Sequence, residues 1–401
     1  VNPISGARDY LPAAFAVRQS ILDTVRAWFE ANGYAGVELP VIEPTELYVR
    51  KGGGGLLTKL YSFVEPDGAR VSLRPEFTAS AVRAYLAGVR PAGSAVRWHY
   101  AGPVFRFDPR SAVRVWTQAG VEAIGLRGLE VDAGLLALAT GGLRRLGVSG
   151  WRLVLGHVGV FGEAISGFGL TERTVATIVG GIDRLRTPGG LDEVRTRLSE
   201  LGLTADDPDA TVVKQAIQDL GDERARTVIR GLLSSMNVDL LGGRHPDQIV
   251  GRLLRKLGGW DDPVTVERAI QFAARLAALH GSAEPTIARA RALLTAEGLV
   301  APSLSELGAL VEAARANGVD AIEVDFGLSR ELGYYSGFVF DVRLPDDEGQ
   351  PLCGGGRYDG LIRVLGGPDV PAAGFAYSVN ALAETLGDPT KTAVASQMGR
   401  P

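Results

Sequence analysis

Apolar residues at Ala14, Val17, Ile21, Val25, Trp28 and Phe29 recur at helical spacing, and Gly33 is a natural stop after them. An extended segment over 36–44 follows, broken by Pro40 and Pro44, then a glycine-rich stretch over 51–55 that reads as a flexible loop. A strand-like run over 71–73 leads through Arg74, Pro75 and Glu76 into an Ala-rich helix ending near Gly88. Two longer strands are expected over 95–107 and 113–124. In the second, Val113, Val115, Thr117, Ala119, Val121 and Ala123 share one face. Arg114, Trp116, Gln118, Gly120, Glu122 and Ile124 share the other. The short joint over 108–112 fits an antiparallel hairpin. A further strand is expected over 151–155.

From about 163 to 318 the pattern becomes helical and poor in aromatics. Leu191, Val194, Leu198 and Leu201 form one run, and Ala269, Phe272, Ala273, Leu276 and Leu279 another. Ser303 and Glu306 have capping-box spacing, opening a helix that stops at Gly318. Strand patterns return over 321–327 and 333–344, with a turn expected at Gly354-Gly355-Gly356 and a last helix over 378–386. The economical organisation is one sheet domain in two parts, 1–162 and 319–388, interrupted by a helical insertion over 163–318, with a loose tail over 389–401.

Composition narrows the class. Of 401 residues, 46% are hydrophobic and 22% charged, as in an ordinary folded protein rather than a disordered chain. The balance of 42 basic and 46 acidic residues gives −4, which does not favour a dominant nucleic-acid surface. No apolar run is long enough for a membrane helix, and the first residues carry no signal segment. One cysteine, Cys353, and four histidines leave few soft ligands for zinc. The expectation is a cytoplasmic protein needing no metal and no cofactor. Phosphate-cradling P-loops, zincin helices, serine-hydrolase elbows and dinucleotide fingerprints are missing from the sequence. His157 and His280 sit beside apolar residues and read as structural.

Candidate chemistry lies on the hairpin. Gln118 and Glu122 are four apart on one strand, so their side chains project the same way, roughly 13 Å apart. With Arg106 on the preceding strand, the face offers carboxylate, amide and guanidinium together. Such groups are costly to bury unless a ligand or internal partners satisfy them. Glu122 or Glu76 suits an ammonium, and Arg106 suits a carboxylate or phosphate. On alternation alone, the same face reads more readily as the solvent side of a half-buried sheet. Tyr334 and Tyr335 follow Arg330; consecutive tyrosines on a strand point to opposite faces, so one would line a pocket while the other packs.

Five fragments occur in order: Leu73-Arg74-Pro75-Glu76, Phe105-Arg106-Phe107-Asp108, Gln118 with Glu122, Arg330 with Tyr334-Tyr335, and Gly354-Gly355-Gly356-Arg357-Tyr358-Asp359-Gly360. Together they resemble the catalytic core of class II histidyl-tRNA synthetases, over about 1–162 and 320–386. The resemblance implies an α+β fold, an antiparallel sheet flanked by helices, with a dimer interface partly formed near Pro40. By similarity, Glu76, Thr78, Gln118 and Glu122 would surround a histidine amino group and neighbouring polar atoms. Arg106 and Arg330 would face carboxylate or phosphate oxygens, and Tyr334, Tyr335 and Tyr358 would wall the imidazole.

The nucleotide half departs from that pattern. Where the synthetases carry an ATP-gripping arginine in their last motif, this chain has Ala381. Asp108 replaces a glutamate, and Glu331 follows Arg330. Only about 15 residues follow the last core helix, too few for an anticodon-binding domain, so tRNA binding is not expected. In these respects the chain is similar to the regulatory subunits of ATP phosphoribosyltransferase. That family assembles with the short catalytic subunit and transmits feedback inhibition by L-histidine. The resemblance implies a non-catalytic subunit and a homodimer within a hetero-oligomer. The alternatives are a synthetase relative that still activates histidine or binds tRNA, and a divergent amino-acid-binding module on the same core.

Overall fold

The computed structural model describes residues 3–51, 54–88, 94–107, 113–204, 219–220, 222–235, 261–328, 334–345 and 350–387. The chain divides into two compact units. One comprises Val1–Val160, Leu279–Ala292 and Ala301–Pro401, the other Phe161–Ala278 and Leu293–Val300.

The strands of the first unit, in chain order, are β1 (Ala35–Gly36), β2 (Ile42–Pro44), β3 (Ser62–Val64), β4 (Arg70–Leu73), β5 (Val96–Phe105), β6 (Val115–Ile124), β7 (Arg152–His157), β8 (His280–Ser282), β9 (Ile322–Asp325), β10 (Phe338–Arg343), β11 (Cys353–Arg357) and β12 (Ala372–Ser378). A nine-stranded sheet runs β1-β5-β6-β12-β11-β10-β7-β9-β8, and a three-stranded sheet runs β2-β4-β3. In the large sheet β1 with β5 and β7 with β9 are parallel; the other pairs are antiparallel. The expected hairpin is present as β5 and β6, with Trp98 opposite Glu122 and Tyr100 opposite Gly120. Its joint over 108–112, with Asp108, lies outside the described residues.

One face of the sheet is the apolar core. Helices α1 (Pro12–Ala31), α2 (Leu129–Arg145) and α3 (Val379–Gly387) cover it. Alternation on β12 sends Phe375 and Tyr377 to this side, where both meet the fully buried Phe29 of α1. The close approach of α2 depends on Gly142, because a β-carbon there would lie 2.1 Å from the Tyr377 hydroxyl. That hydroxyl donates to the Ala139 carbonyl at 2.6 Å. Gly33 holds φ +80° just past the end of α1, the left-handed turn that stops the helix there.

Several expectations are corrected. Gly354-Gly355-Gly356 is not a turn but the buried middle of β11. A β-carbon on Gly355 would lie 2.0 Å from the Gly374 carbonyl oxygen, so the glycines let two strands and what lies on them come close. The single cysteine, Cys353, begins the same strand and is 1% exposed. The expected loop over 51–55 is helical at both ends, Lys51 closing the helix Thr45–Lys51 and Gly54 opening the helix Gly54–Leu57, with 52–53 outside the described residues. The helix from Ser303 forms (Ser303–Ala316), with Pro302 rather than Ser303 at its N-cap position. The expected helical insertion, 163–318, is shared between both units: residues 279–292 and those from 301 group with the sheet. Ser303–Ala316 packs on α2 and β7. The tail, 389–401, lies outside the described residues.

The second unit contains the helices Glu172–Val179, Gly190–Glu200 and Pro263–Ala277. Thr171 caps the first and Asp262 the last. Asp261 also accepts the Thr171 N–H and hydroxyl, tying distant parts of the chain together. Among the described residues, no helix is long and apolar enough to cross a membrane.

Candidate functional site

The opposite face of the sheet carries a polar patch between apolar clusters. Even-numbered residues of β5 and β6 point there, so Tyr100, Gln118, Gly120 and Glu122 share it with Gly374 of β12. The face is a concave pocket lined by Glu76, Thr78, Tyr100, Arg106, Gln118, Tyr334, Tyr335 and Tyr358, among others. Its space is about 390 Å³, including the mouth open to solvent.

Glu122 sits beneath the pocket and is 1% exposed. One carboxylate oxygen accepts from the Thr78 hydroxyl at 2.8 Å and the Tyr100 hydroxyl at 2.9 Å. The other accepts from the Tyr358 hydroxyl. Burial pushes the Glu122 carboxyl up to about 7, although the three hydroxyls oppose that rise. The same burial, with Glu122 next to them, raises the Tyr100 and Tyr358 phenols well above their ordinary value. Both phenols therefore stay protonated as donors at neutral pH. Gly374 makes this network possible, since a β-carbon there would overlap the Glu122 carboxylate at 2.0 Å.

Glu76 caps the helix Thr78–Gly88, accepting the Thr78 N–H at 2.5 Å and the Ala79 N–H at 3.1 Å. A carboxylate at a helix start is favoured by the helix dipole, which fixes Glu76 at the pocket rim. Arg106 follows β5, and its Nε donates to the Pro75 carbonyl at 2.9 Å. Tyr334 and Tyr335 do not take opposite faces. Their rings stack at 4.7 Å and both line the pocket, because the chain there is not yet a strand; β10 begins only at Phe338. Tyr358 meets Tyr334 edge-on at 5.6 Å.

Of the residues singled out from sequence, Glu76, Thr78, Arg106, Gln118, Tyr334, Tyr335 and Tyr358 line one pocket and Glu122 underlies it. Arg330 lies outside the described residues. Sequence reasoning missed Tyr100, Phe77 and Gly374. The signal for Tyr100 was present: hairpin register puts it on the same face as Glu122. Phe77 stacks on Tyr100 with ring centres 4.3 Å apart, and Arg74 lies 4.0 Å over the Phe77 ring.

A sequence model of the family described as "Histidyl-tRNA synthetase" matches residues 6–189 and 208–382. The chain belongs to the histidyl-tRNA synthetase family. The match includes much of the helical stretch over 163–318, which the five fragments do not reach. A "Histidine--tRNA ligase" of Pyrococcus furiosus is 29% identical over 393 residues, covering 96% of this chain and 75% of that protein. An "ATP phosphoribosyltransferase regulatory subunit" of Moorella thermoacetica is also 29% identical, over 402 residues, covering 98% of this chain and 84% of that protein. Among solved structures, an ATP phosphoribosyltransferase regulatory subunit/histidyl-tRNA synthetase from Bacillus halodurans is similar, with a TM-score of 0.65 at 22% identity over 96% of this chain and 83% of that one. A histidyl-tRNA synthetase from Nostoc gives 0.63 at 18%, over 96% of this chain and 75% of that one. These likenesses show the class II synthetase-like α+β fold.

The family's last motif falls on β12 and the first turn of α3. Asn380 there accepts the Thr117 N–H with its amide oxygen at 2.8 Å and donates from its amide nitrogen to the Tyr10 hydroxyl at 3.1 Å. The Ala381 N–H donates to the Ser378 hydroxyl at 3.3 Å.

Proposed function

We propose that this chain is a non-catalytic, histidine-sensing regulatory subunit of ATP phosphoribosyltransferase. On this reading it assembles with the short catalytic subunit, supports its activity and carries L-histidine feedback inhibition in the first step of histidine biosynthesis. The observation that carries the reading is the contrast between the two halves of the site. The amino-acid half gathers Glu76, Thr78, Gln118, Glu122 and three tyrosines around one pocket. The nucleotide half presents the Ala381 methyl group where the synthetases place a cation. Developing phosphate charge needs fixed positive groups, and alanine supplies none. A scaffold that holds an amino acid and not a triphosphate suits a sensor. The Moorella relative of that name supports the same assignment.

In the proposed pose, Glu76, Thr78 and Gln118 receive the ammonium end of histidine. Arg106, with Arg330, faces its carboxylate. Tyr334, Tyr335 and Tyr358 enclose the imidazole above Glu122. Feedback then requires histidine to bind one state of the assembly more tightly than another. A homodimer within the hetero-oligomer is part of the proposal. The exposed apolar residues Val41, Ile42, Phe63 and Val64 near and on the three-stranded sheet support it.

The deciding assay is phosphoribosyl-ATP formation by the short catalytic subunit, with and without this chain, across a histidine titration. The chain should raise the rate and make it histidine-sensitive. No stimulation and no sensitivity would end this reading. One observation favours a second reading, a synthetase relative that still activates histidine: Arg106, the residue that would touch the reacting phosphate, lines the pocket. Histidine-dependent exchange of pyrophosphate into ATP by this chain alone would establish it; none is expected.

A further inference from the structure

Behind the pocket lies a second polar cluster whose side chains do not line it. Arg357 ends β11 and is 8% exposed. A buried guanidinium must be matched by fixed acceptors or it is costly. Its Nε donates to both Asp132 oxygens, at 3.1 and 3.2 Å, and its Nη2 also donates to Asp132. Its Nη1 donates to Asp359 at 2.9 Å and to the Leu126 carbonyl at 3.4 Å. Asp132 belongs to the first turn of α2, where the helix dipole favours a carboxylate. Arg357 thus joins the start of α2 to the end of β11 through planar, two-pronged geometry.

The same cluster fixes two stretches of backbone that carry pocket side chains. The Asp359 carboxylate also accepts the Ala372 N–H at 3.0 Å, and the Tyr358 N–H donates to the Ala372 carbonyl at 2.7 Å. Tyr358 is therefore held from both neighbours. In turn, the Asp359 N–H donates to the Ser336 hydroxyl at 2.9 Å, and the Ser336 N–H donates to the Arg357 carbonyl at 2.9 Å. Ser336 directly follows Tyr334 and Tyr335. Gly356, next to Arg357, leaves room for the Tyr335 ring, which would lie 3.0 Å from a β-carbon there.

We propose that Asp132, Arg357 and Asp359 form a positioning clamp that sets the Tyr358 hydroxyl on Glu122 and holds the Ser336 segment bearing Tyr334 and Tyr335. The clamp deepens the amino-acid-pocket reading, and only the ligand arm of its test rests on that reading. None of the three residues touches the ligand space; they act through Tyr358 and Ser336.

The test follows the Glu122 carboxyl itself by pH titration of a carbon-13-labelled side chain, assigned with Glu122→Gln. Facing Glu122 are Thr78, Tyr100, Tyr358 and, at longer range, Glu76, Tyr334 and Tyr34. In Asp132→Asn the loosened Tyr358 should release the carboxylate, moving its titration midpoint up by about one pH unit, the loss of one charge-assisted hydrogen bond. Tyr358→Phe should give the same shift, and the double variant no more than either alone. Asp132→Glu, which keeps a carboxylate, should restore part of the wild-type midpoint. If Asp132→Asn does not fold, Arg357→Lys, which loses the two-pronged contact, replaces it. An unchanged midpoint in a folded variant, or fully additive shifts in the double variant, would overturn the clamp; so would a lowered melting temperature with no shift. In the second arm, L-histidine affinity should fall about tenfold in Asp132→Asn. If the wild-type chain binds no histidine, the functional reading fails, while the Glu122 titration still decides the clamp.

Discussion

Glu122 shows how a single residue can be tuned by its surroundings. An isolated carboxylate so deeply buried would simply take up a proton; three hydroxyl donors hold it near neutrality instead. The sign of the resulting pH effect is unusual for an acid. Its folded-state pKa is raised above the unfolded value, so the fold binds this proton more tightly than the unfolded chain does. The stability it contributes is full below about pH 4.5 and declines as pH rises to about 7. Relative to Glu122→Gln, which cannot ionise, the wild-type protein should lose about 3 kcal/mol between those limits. Denaturant melts of both proteins across pH 4.5 to 8 measure the difference, and parallel curves would show that burial is not governing this carboxyl. Alternation put Gln118 and Glu122 on one face, which was legible in the sequence. That Glu122 would be saturated by hydroxyls from three different elements was not, because those partners meet only through tertiary packing.

At the level of elements, the glycines separate what sequence can say from what it cannot. Gly354-Gly355-Gly356 reads locally as a turn, since glycine lacks strand propensity. It is a central strand because the neighbouring strand and the pocket floor leave no room for side chains. Gly355→Ala should therefore cost about 3 kcal/mol or more, by overpacking against backbone that cannot yield. Gly134, by contrast, lies on the exposed side of α2 with nothing near its missing β-carbon. Gly134→Ala should stabilise the protein by about 1 kcal/mol through helix propensity alone. Opposite signs in thermal melts are the expected outcome; a loss at both positions would mean that backbone strain, not space, decides. The stacked tyrosines make a similar point. Period-two reasoning failed at Tyr334 and Tyr335 because they precede β10 rather than belong to it.

For the whole molecule, a sheet domain interrupted by a helical stretch was legible from periodicity, and the family, with the α+β class it implies, from five short fragments. The sheet's crossovers were not, nor was the return of Leu279–Ala292 to the sheet unit, because strand neighbours such as β12 and β6 are brought together by long-range pairing. The proposed ligand should act at this scale. A ligand that binds only the folded protein stabilises it by about 2.7 kcal/mol at a hundred times its dissociation constant. L-histidine should raise the melting temperature by a few degrees while other amino acids do not, and Arg106→Ala should abolish the rise. An equal rise with any amino acid would place specificity elsewhere. The buried start of β11 offers a clock for the same event. Its thiol is the chain's sole cysteine and is sealed between paired strands. An alkylating reagent can reach it only when those strands part, so the rate of labelling counts openings of the strand that bears the glycine floor. A bound effector need not change the average structure at all to be seen there: it would register as a longer wait between openings.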